Sequence, residues 1–177
     1  MGLMIGLKRG MVKLKPYNPQ WKEFFKKEKK LISSVITAFL IDIQHIGSTA
    51  IPNIVAKPII DVAVAIDSLD NIEKIIPPLE NIGFIYRGEQ GIPDRHMFVK
   101  GGENYRTHHL HVMQKDHYEW NKHILFRDYL KKHPNDAKQY SELKQKLFLK
   151  YGNDREKYTE SKSEFIQNII EKAKKKP

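Results

Sequence analysis

A glycine–serine pair and a carboxylate thirteen positions later are the residues of this sequence best suited to phosphate chemistry. Gly47 and Ser48 follow a short apolar segment, and a glycine beside a hydroxyl lets a ligand approach the backbone closely and offers donors to an oxyanion. Asp61 interrupts the apolar run 59–66, a pattern typical of a buried strand. A buried carboxylate is costly unless it is paired or binds a cation. The stretch therefore predicts a phosphate contact beside a metal ligand, with Lys57 as a further phosphate contact.

Two histidines two positions apart, His109 and His111, form the second candidate group. Side chains at such positions of a strand point to the same face, so the two imidazoles would lie side by side. Paired imidazoles can bind a metal ion or exchange protons. We expect both to converge with Asp61 on one catalytic and metal-binding site. The alternatives are an exposed pair of strand histidines and a structural carboxylate held by Ser48, Lys57 or backbone amides.

Three further residues are weaker candidates for the same site. His45 shares a strand face with Ile41 and Ile43, so both a metal ligand and a buried, hydrogen-bonded histidine remain open. Glu89, in the glycine-rich loop 88–94, is a candidate metal or substrate contact, with a solvated turn as the alternative. Arg95 follows that loop, and its planar guanidinium suits a bidentate phosphate contact.

Each predicted C-terminal helix carries one cation on its apolar stripe: Arg127, Lys144 and Lys162, respectively. A buried cation without a counter-charge costs several kcal/mol, so each must either reach water or meet an anion. A flexible stem that reaches water explains one such residue. Three of them indicate a shared anionic ligand, and we expect all three to point towards the glycine–serine pair and the carboxylate as phosphate contacts.

Hydrophobic periodicity predicts an α+β chain in which strands and helices alternate before a purely helical end. Helices are predicted near 18–39, 69–81, 117–132, 135–151 and 153–173, and strands over 41–46, 59–66, 84–87, 95–100 and 105–113. We expect residues 1–10 to be a flexible, dispensable N-terminus. Residues 11–115 are expected to form the α+β domain, and residues 116–177 a helical part packed on it.

The segment HIGSTAIPNIVAKPIIDVAV, which spans residues 45–64, resembles the GrpB family, an uncharacterised branch of the nucleotidyltransferase, polymerase-beta-like superfamily. Matching pieces extend from about residue 11 to residue 173. The resemblance implies a nucleotidyltransferase-like mixed β-sheet flanked by helices, and nucleotidyl transfer assisted by a divalent cation, Mg²⁺ or Mn²⁺. The superfamily strand usually carries a second acid two positions after the first, where this sequence has Ala63. The family pattern also implies a glycine at position 94, where this sequence has Asp94.

Composition limits the partners. The 177-residue chain has a net charge of +10, which favours nucleoside triphosphates, other phosphorylated small molecules or nucleic acid. It contains no cysteine, which excludes a disulfide framework and a thiolate zinc site. The sequence predicts neither a signal peptide nor a membrane span, and we expect a cytoplasmic protein.

Three functions follow from these observations. The leading interpretation is a metal-dependent nucleotidyltransferase-like enzyme that acts on a nucleoside triphosphate and an unknown acceptor. The second is a non-catalytic nucleotide- or RNA-binding module, which Ala63 favours because the paired acid is missing. A histidine-triad hydrolase would need a third histidine at position 113, and the sequence has Met113 there.

Overall fold

The protein is described here by a computed structural model that covers residues 5–175; expectations for residues 1–4 and 176–177 lie outside this range. The strands are β1 (Leu40–Ile46), β2 (Ile60–Ile66), β3 (Phe84–Tyr86), β4 (His96–Lys100) and β5 (His108–Gln114). The helices are α1 (Gln20–Ile36), α2 (Ile72–Asn81), α3 (Tyr118–Lys132), α4 (Pro134–Tyr151), α5 (Arg155–Glu160) and α6 (Ser163–Lys175). A short 3₁₀ helix, Ser48–Ala50, follows β1.

The strands form one mixed sheet in the order β1-β2-β5-β4-β3. β2 and β5 pair in parallel, and every other neighbouring pair is antiparallel. The parallel register places Asp61 opposite His109 and Ala63 opposite His111. The predicted α+β class, with a mixed sheet flanked by helices and a helical C-terminal part, is confirmed.

Alternation along β2 divides the protein into two layers. Val62 and Val64 are fully buried in the main core, together with apolar residues of α1 and α2. Ala63 and Ala65 face the other side, where they pack with Trp120 of α3. Asp61 shares this second face because side chains two positions apart in a strand point the same way. The carboxylate therefore lies on the side of the C-terminal helices.

The C-terminal helices are anchored to the sheet by the segment between β1 and β2. Ile51 and Ile54 of that segment are buried in a cluster with apolar residues of α3, α4 and α6. The Ser141 hydroxyl accepts a hydrogen bond from the backbone of Val55 at 3.0 Å, and the Lys144 ammonium donates one to the Val55 carbonyl. The helical part thus packs on the segment that carries the glycine–serine pair.

Two helix boundaries differ from the sequence-based prediction. Residues 153–173 form two helices instead of one, because the chain turns at Ser161 and Lys162 between α5 and α6. Pro134 does not merely close α3; it occupies the first turn of α4, where a missing N–H costs nothing.

The N-terminal segment is attached more firmly than predicted. Leu7 is buried and exchanges two backbone hydrogen bonds with Arg106, at 2.9 and 2.8 Å. The amides of Gly6 and Arg9 donate to the carbonyls of Pro58 and Glu103 at 2.7 and 2.8 Å. The described part of the segment, residues 5–10, therefore has ordered contacts, and the expectation of a flexible N-terminus does not hold for it.

No helix within residues 5–175 is both long enough and apolar enough to cross a membrane.

Removal of residues 1–10 should lower the free energy of unfolding by about 2–4 kcal/mol, because backbone hydrogen bonds and the burial of Leu7 are lost together. Urea denaturation of the shortened chain measures this loss. Lys8→Ala, which truncates an exposed side chain of the same segment, should change stability by less than about 0.5 kcal/mol. Equal stability of the shortened and full chains would show that the contacts of residues 5–10 contribute nothing.

Candidate functional site

A cavity of about 610 Å³ lies between the second face of the sheet and the C-terminal helices. We call it the main cavity. Most predicted site residues line it: Gly47, Ser48, Lys57, Asp61, Arg95, His109, His111, Lys144 and Lys162. The fold therefore brings together residues that are separated by more than one hundred positions in the sequence.

Gly47 is required by its contact with Asp61. Its backbone φ is +72°, in the left-handed region that favours glycine. A Cβ atom at this position would lie 2.6 Å from Oδ2 of Asp61, well inside van der Waals contact. Because the missing side chain leaves this space free, the end of β1 passes directly over the carboxylate.

Asp61 and His109 form a hydrogen-bonded pair across the parallel strands, with 3.1 Å between Oδ1 and Nδ1. Burial alone would raise the pKa of Asp61. The hydrogen bond from His109 and the charges of His109, His111 and Lys57 outweigh this effect and lower the pKa to about 2. The carboxylate is therefore ionised and accepts the Nδ1–H bond of His109. In the neutral ring this leaves Nε2 of His109 with a lone pair that can accept a proton. The Asp61 side chain is 29% exposed, so a ligand can reach the pair.

His111 has the opposite tautomer. An N–H group of Arg95 lies 3.0 Å from Nδ1 of His111, and a guanidinium can only donate, so Nδ1 accepts. Burial and the charge of His123 lower the pKa of His111 to about 3, which keeps the ring neutral. Its proton therefore resides on Nε2. Of the two histidines, His109 is suited to accept a proton and His111 to donate a hydrogen bond to an anion.

Three lysines of the main cavity, Lys57, Lys144 and Lys162, form no ion pair with a described carboxylate. Lys144 is almost fully buried, and burial together with Lys162 and Lys57 lowers its pKa well below the ordinary value. Burial and Lys57 lower the pKa of Lys162 to about 7, although Asp61 acts in the opposite direction. Burial and Arg155 lower the pKa of Lys57. Asp61 is the only carboxylate among the described residues that line this cavity, so the positive charges outnumber it.

Two tyrosines stabilise the cations of buried Lys144 and partly buried Lys162. The Lys144 ammonium lies 4.5 Å from the centre of the Tyr140 ring, and the Lys162 ammonium lies 4.5 Å from the centre of the Tyr158 ring. The face of an aromatic ring attracts a cation, which offsets part of the desolvation penalty. Tyr140 also hydrogen-bonds Ser48, which links α4 to the glycine–serine pair.

Arg127 does not line the main cavity, so its predicted role as a phosphate contact gains no support from this site. Its guanidinium donates to the Gln44 side chain at 2.8 Å, to the His45 carbonyl at 2.9 Å and to Asp128 at 2.7 Å. These partners are all local to α3 and β1. Arg127 instead fastens α3 to β1.

The predicted metal set is not assembled. Nε2 of His45 hydrogen-bonds Thr49 at 2.9 Å, and its ring stacks on Phe25 with 4.8 Å between centres. Glu89 is exposed and accepts a hydrogen bond from the amide of Asp94 at 2.7 Å. The contacts of both residues agree with the structural alternatives, and their role as metal ligands stays a prediction.

The donor set of the main cavity fits a divalent cation poorly. Within the described range, no group of three histidine, aspartate or glutamate side chains is arranged to hold a metal ion. Asp61 with His109 supplies only part of a coordination shell, and Arg95 occupies Nδ1 of His111. Magnesium or manganese binding stays a prediction.

Position 63 shows why a second acid is missing. Ala63 is fully buried and packs with Ile46, Met113 and Trp120 beneath α3. A carboxylate there would be desolvated without a partner, at a cost of several kcal/mol. The apolar packing at this position is therefore unsuited to a second acid beside Asp61.

Several residues of the main cavity were not predicted as site residues, notably Lys122, His123 and Arg155. Glu119 lies 3.0 Å from the Lys122 ammonium and 3.3 Å from Nε2 of His123, so it neutralises this part of the wall. The i, i+3 and i, i+4 spacing from Glu119 predicts both contacts on a helix. That spacing does not indicate which helix face would meet the sheet.

These observations define an α+β protein whose mixed sheet and C-terminal helices enclose a cation-rich cavity around one Asp–His pair. A family model described as GrpB protein matches residues 11–172. The chain belongs to the GrpB family.

Known relatives agree with this assignment. The chain is 40% identical over 171 residues to the glutamate-rich protein GrpB of Alkalihalophilus pseudofirmus, covering 94% of this chain and 98% of that protein. It is also 40% identical over 159 residues to the UPF0157 protein YqkA of Bacillus subtilis, covering 90% of this chain but only 46% of YqkA. The crystal structure of conserved protein GrpB from Enterococcus faecalis superposes with a TM-score of 0.87 at 35% identity, covering 93% of this chain and 98% of that one.

Gly47→Ala should destabilise the protein by more than the ordinary cost of a left-handed residue, because its Cβ would collide with Asp61. Gly88→Ala is the matched control, since Gly88 has a φ of +71° and open space around its missing side chain. We expect a loss of about 1 kcal/mol for Gly88→Ala and at least about 3 kcal/mol for Gly47→Ala. Chemical denaturation measures both, and equal losses would show that the contact with Asp61 is not restrictive.

Proposed function

We propose that the main cavity binds a nucleoside triphosphate or a closely related phosphorylated small molecule and transfers its nucleotidyl group to an acceptor. The excess of buried and partly buried cations around one carboxylate carries this proposal. Lys57, Lys144 and Lys162 all have lowered pKa values because they are desolvated near other positive charges. A polyanionic ligand would remove that repulsion, and phosphate groups match it best.

The Asp61–His109 pair supplies a base for the transfer. In the proposed step, a hydroxyl oxygen of the acceptor forms a bond to the α-phosphorus while its proton moves to Nε2 of His109. The bond between the α-phosphorus and the bridging oxygen breaks, and pyrophosphate leaves with the electron pair. Asp61 holds the ring in place and stabilises the imidazolium that forms. The lysines offset the charge that develops on the leaving phosphates.

Buried Ala63 favours a second candidate, a protein that binds nucleotides or RNA without catalysis. Pyrophosphate release separates the two functions. His109→Asn should keep nucleotide binding and abolish pyrophosphate release if the pair is a catalytic base. Nucleotide binding by the unaltered protein without pyrophosphate release, across a panel of hydroxyl acceptors with and without Mg²⁺, would support the binding module instead.

Lys162→Met should weaken ATP binding about tenfold, because one charge-assisted phosphate contact is lost. The ligand-free protein should not lose stability, since the methionine keeps the apolar stem and removes a desolvated charge. Thermal-shift titrations with and without Mg²⁺ measure both effects and test the predicted metal dependence.

Lys146→Met is the matched control for that titration, since Lys146 is exposed on α4 and its loss changes the net charge equally. It should leave ATP affinity unchanged. Equal ATP affinity in Lys162→Met and the unaltered protein would remove the main support for a phosphate site.

Anion binding should weaken as the pH rises through about 7, the pKa of Lys162. Below this value the ammonium is charged and attracts an anion; above it, binding must also drive uptake of a proton. Sulfate is a suitable probe because its charge is constant over this range. Its stabilising effect, measured by thermal shift, should fall between about pH 6 and about pH 9, and the fall should be smaller in Lys162→Met. The same pH dependence in both proteins would assign it to another group.

A further inference from the structure

A second cavity, of about 300 Å³, adjoins the main one and is closed on one side by residues 7–11. We call it the N-terminal cavity. Lys57, Arg95, His109 and Arg155 line both cavities, so the two spaces meet at the histidine of the Asp–His pair. The proposed reaction assigns no ligand to this second space.

The walls of the N-terminal cavity are strongly basic. Beyond the shared residues it adds four cationic side chains, Lys8, Arg9, Arg87 and Arg106. No aspartate or glutamate is among the described residues that line it. Such a concentration of guanidinium groups suits the planar, bidentate recognition of phosphate oxygens.

One nearby carboxylate is shared among three of these arginines. Glu103 lies 3.1 Å from Arg9, 3.2 Å from Arg87 and 3.6 Å from Arg106. Its side chain is 57% exposed, so solvent weakens each of these pairs. A single screened carboxylate leaves the group with excess positive charge.

Arg106 is the residue that points most clearly to a ligand. Its side chain is only 8% exposed, yet its Nε–H has no hydrogen-bond partner among the described residues. A buried donor without an acceptor costs free energy comparable to a lost hydrogen bond. Backbone pairing of Arg106 with Leu7 holds this side chain in the cavity wall. A phosphate oxygen would supply the missing acceptor.

We propose that the N-terminal cavity is a second phosphate subsite, which binds the phosphate group of a small, hydroxyl-bearing acceptor. This inference rests on the proposed function, because the main cavity must hold the donor. With its phosphate among Arg87, Arg106 and Arg9, the acceptor would present its hydroxyl at the junction, beside His109. The small volume favours a phosphorylated sugar or polyol over a larger partner.

Glu103→Gln is a sharp test because the proposal predicts that this variant binds phosphate more tightly. A misfolded protein would bind phosphate more weakly. Removal of the competing carboxylate should free the three arginines and lower the dissociation constant for inorganic phosphate by roughly threefold to tenfold. The measurement is made by calorimetry in the Lys162→Met background, in which the main cavity is weakened. Glu142→Gln is the control for net charge, since Glu142 is exposed on α4, and it should change nothing.

Four outcomes would decide the proposal. Arg106→Met should abolish the gain produced by Glu103→Gln; persistence of the gain would place the phosphate elsewhere. Unchanged phosphate affinity in Glu103→Gln, with ATP still bound, would overturn the second subsite alone. An equal gain in ATP affinity would mean that one ligand spans both cavities, which overturns the acceptor assignment. Conversely, a gain in phosphate affinity in a protein that binds no ATP would support the second phosphate subsite and reject the donor site in the main cavity.

Discussion

The close approach of Gly47 to Asp61 is the contact on which the site depends. The ionised carboxylate lies in the second strand of the sheet and would be destabilised there if it were unpaired. Because Gly47 has no side chain, the turn after β1 can cover the carboxylate while the neighbouring parallel strand presents His109 to it. One backbone conformation and one strand register thus fix the Asp–His pair. The remaining cavity residues are arranged around it.

The same local geometry connects the two halves of the protein. Directly after the turn, the chain enters the C-terminal helical cluster through Ile51 and Ile54 and then hydrogen-bonds α4 through Val55. Folding of the helices on this segment carries Lys144 and Lys162 to the carboxylate. The apolar burial that stabilises the helical part therefore also accounts for the desolvation of the lysines. At these residues the charges that would favour the proposed anionic ligand repel one another in its absence and therefore lower stability.

The cavity differs from a two-metal site in the sign of its charge. Ala63 fills the position of a second acid with apolar packing, and lysine and arginine groups surround the acid that remains. In a metal site, acids concentrate a cation that then neutralises phosphates; here the protein's own cations stand next to the space for the ligand. His109 and His111 divide the remaining functions, since opposite hydrogen-bond partners fix opposite tautomers.

The sequence by itself determined the elements and most of the site. Alternation and apolar runs predicted the strands, and the spacing of Gly47, Ser48, Asp61 and the histidine pair predicted residues that do line one cavity. Local patterns could not determine which way a helix stripe faces. Arg127 and Lys144 occupy equivalent stripes, yet one anchors α3 to β1 and the other enters the cavity, because tertiary packing sets the rotation of each helix. His45 and Glu89 each hydrogen-bond a neighbour a few positions away, and the sequence pattern alone did not reveal these local partners. The attachment of residues 5–10 depends on Arg106, about a hundred positions later, and such long-range pairing leaves no periodic signal in the chain.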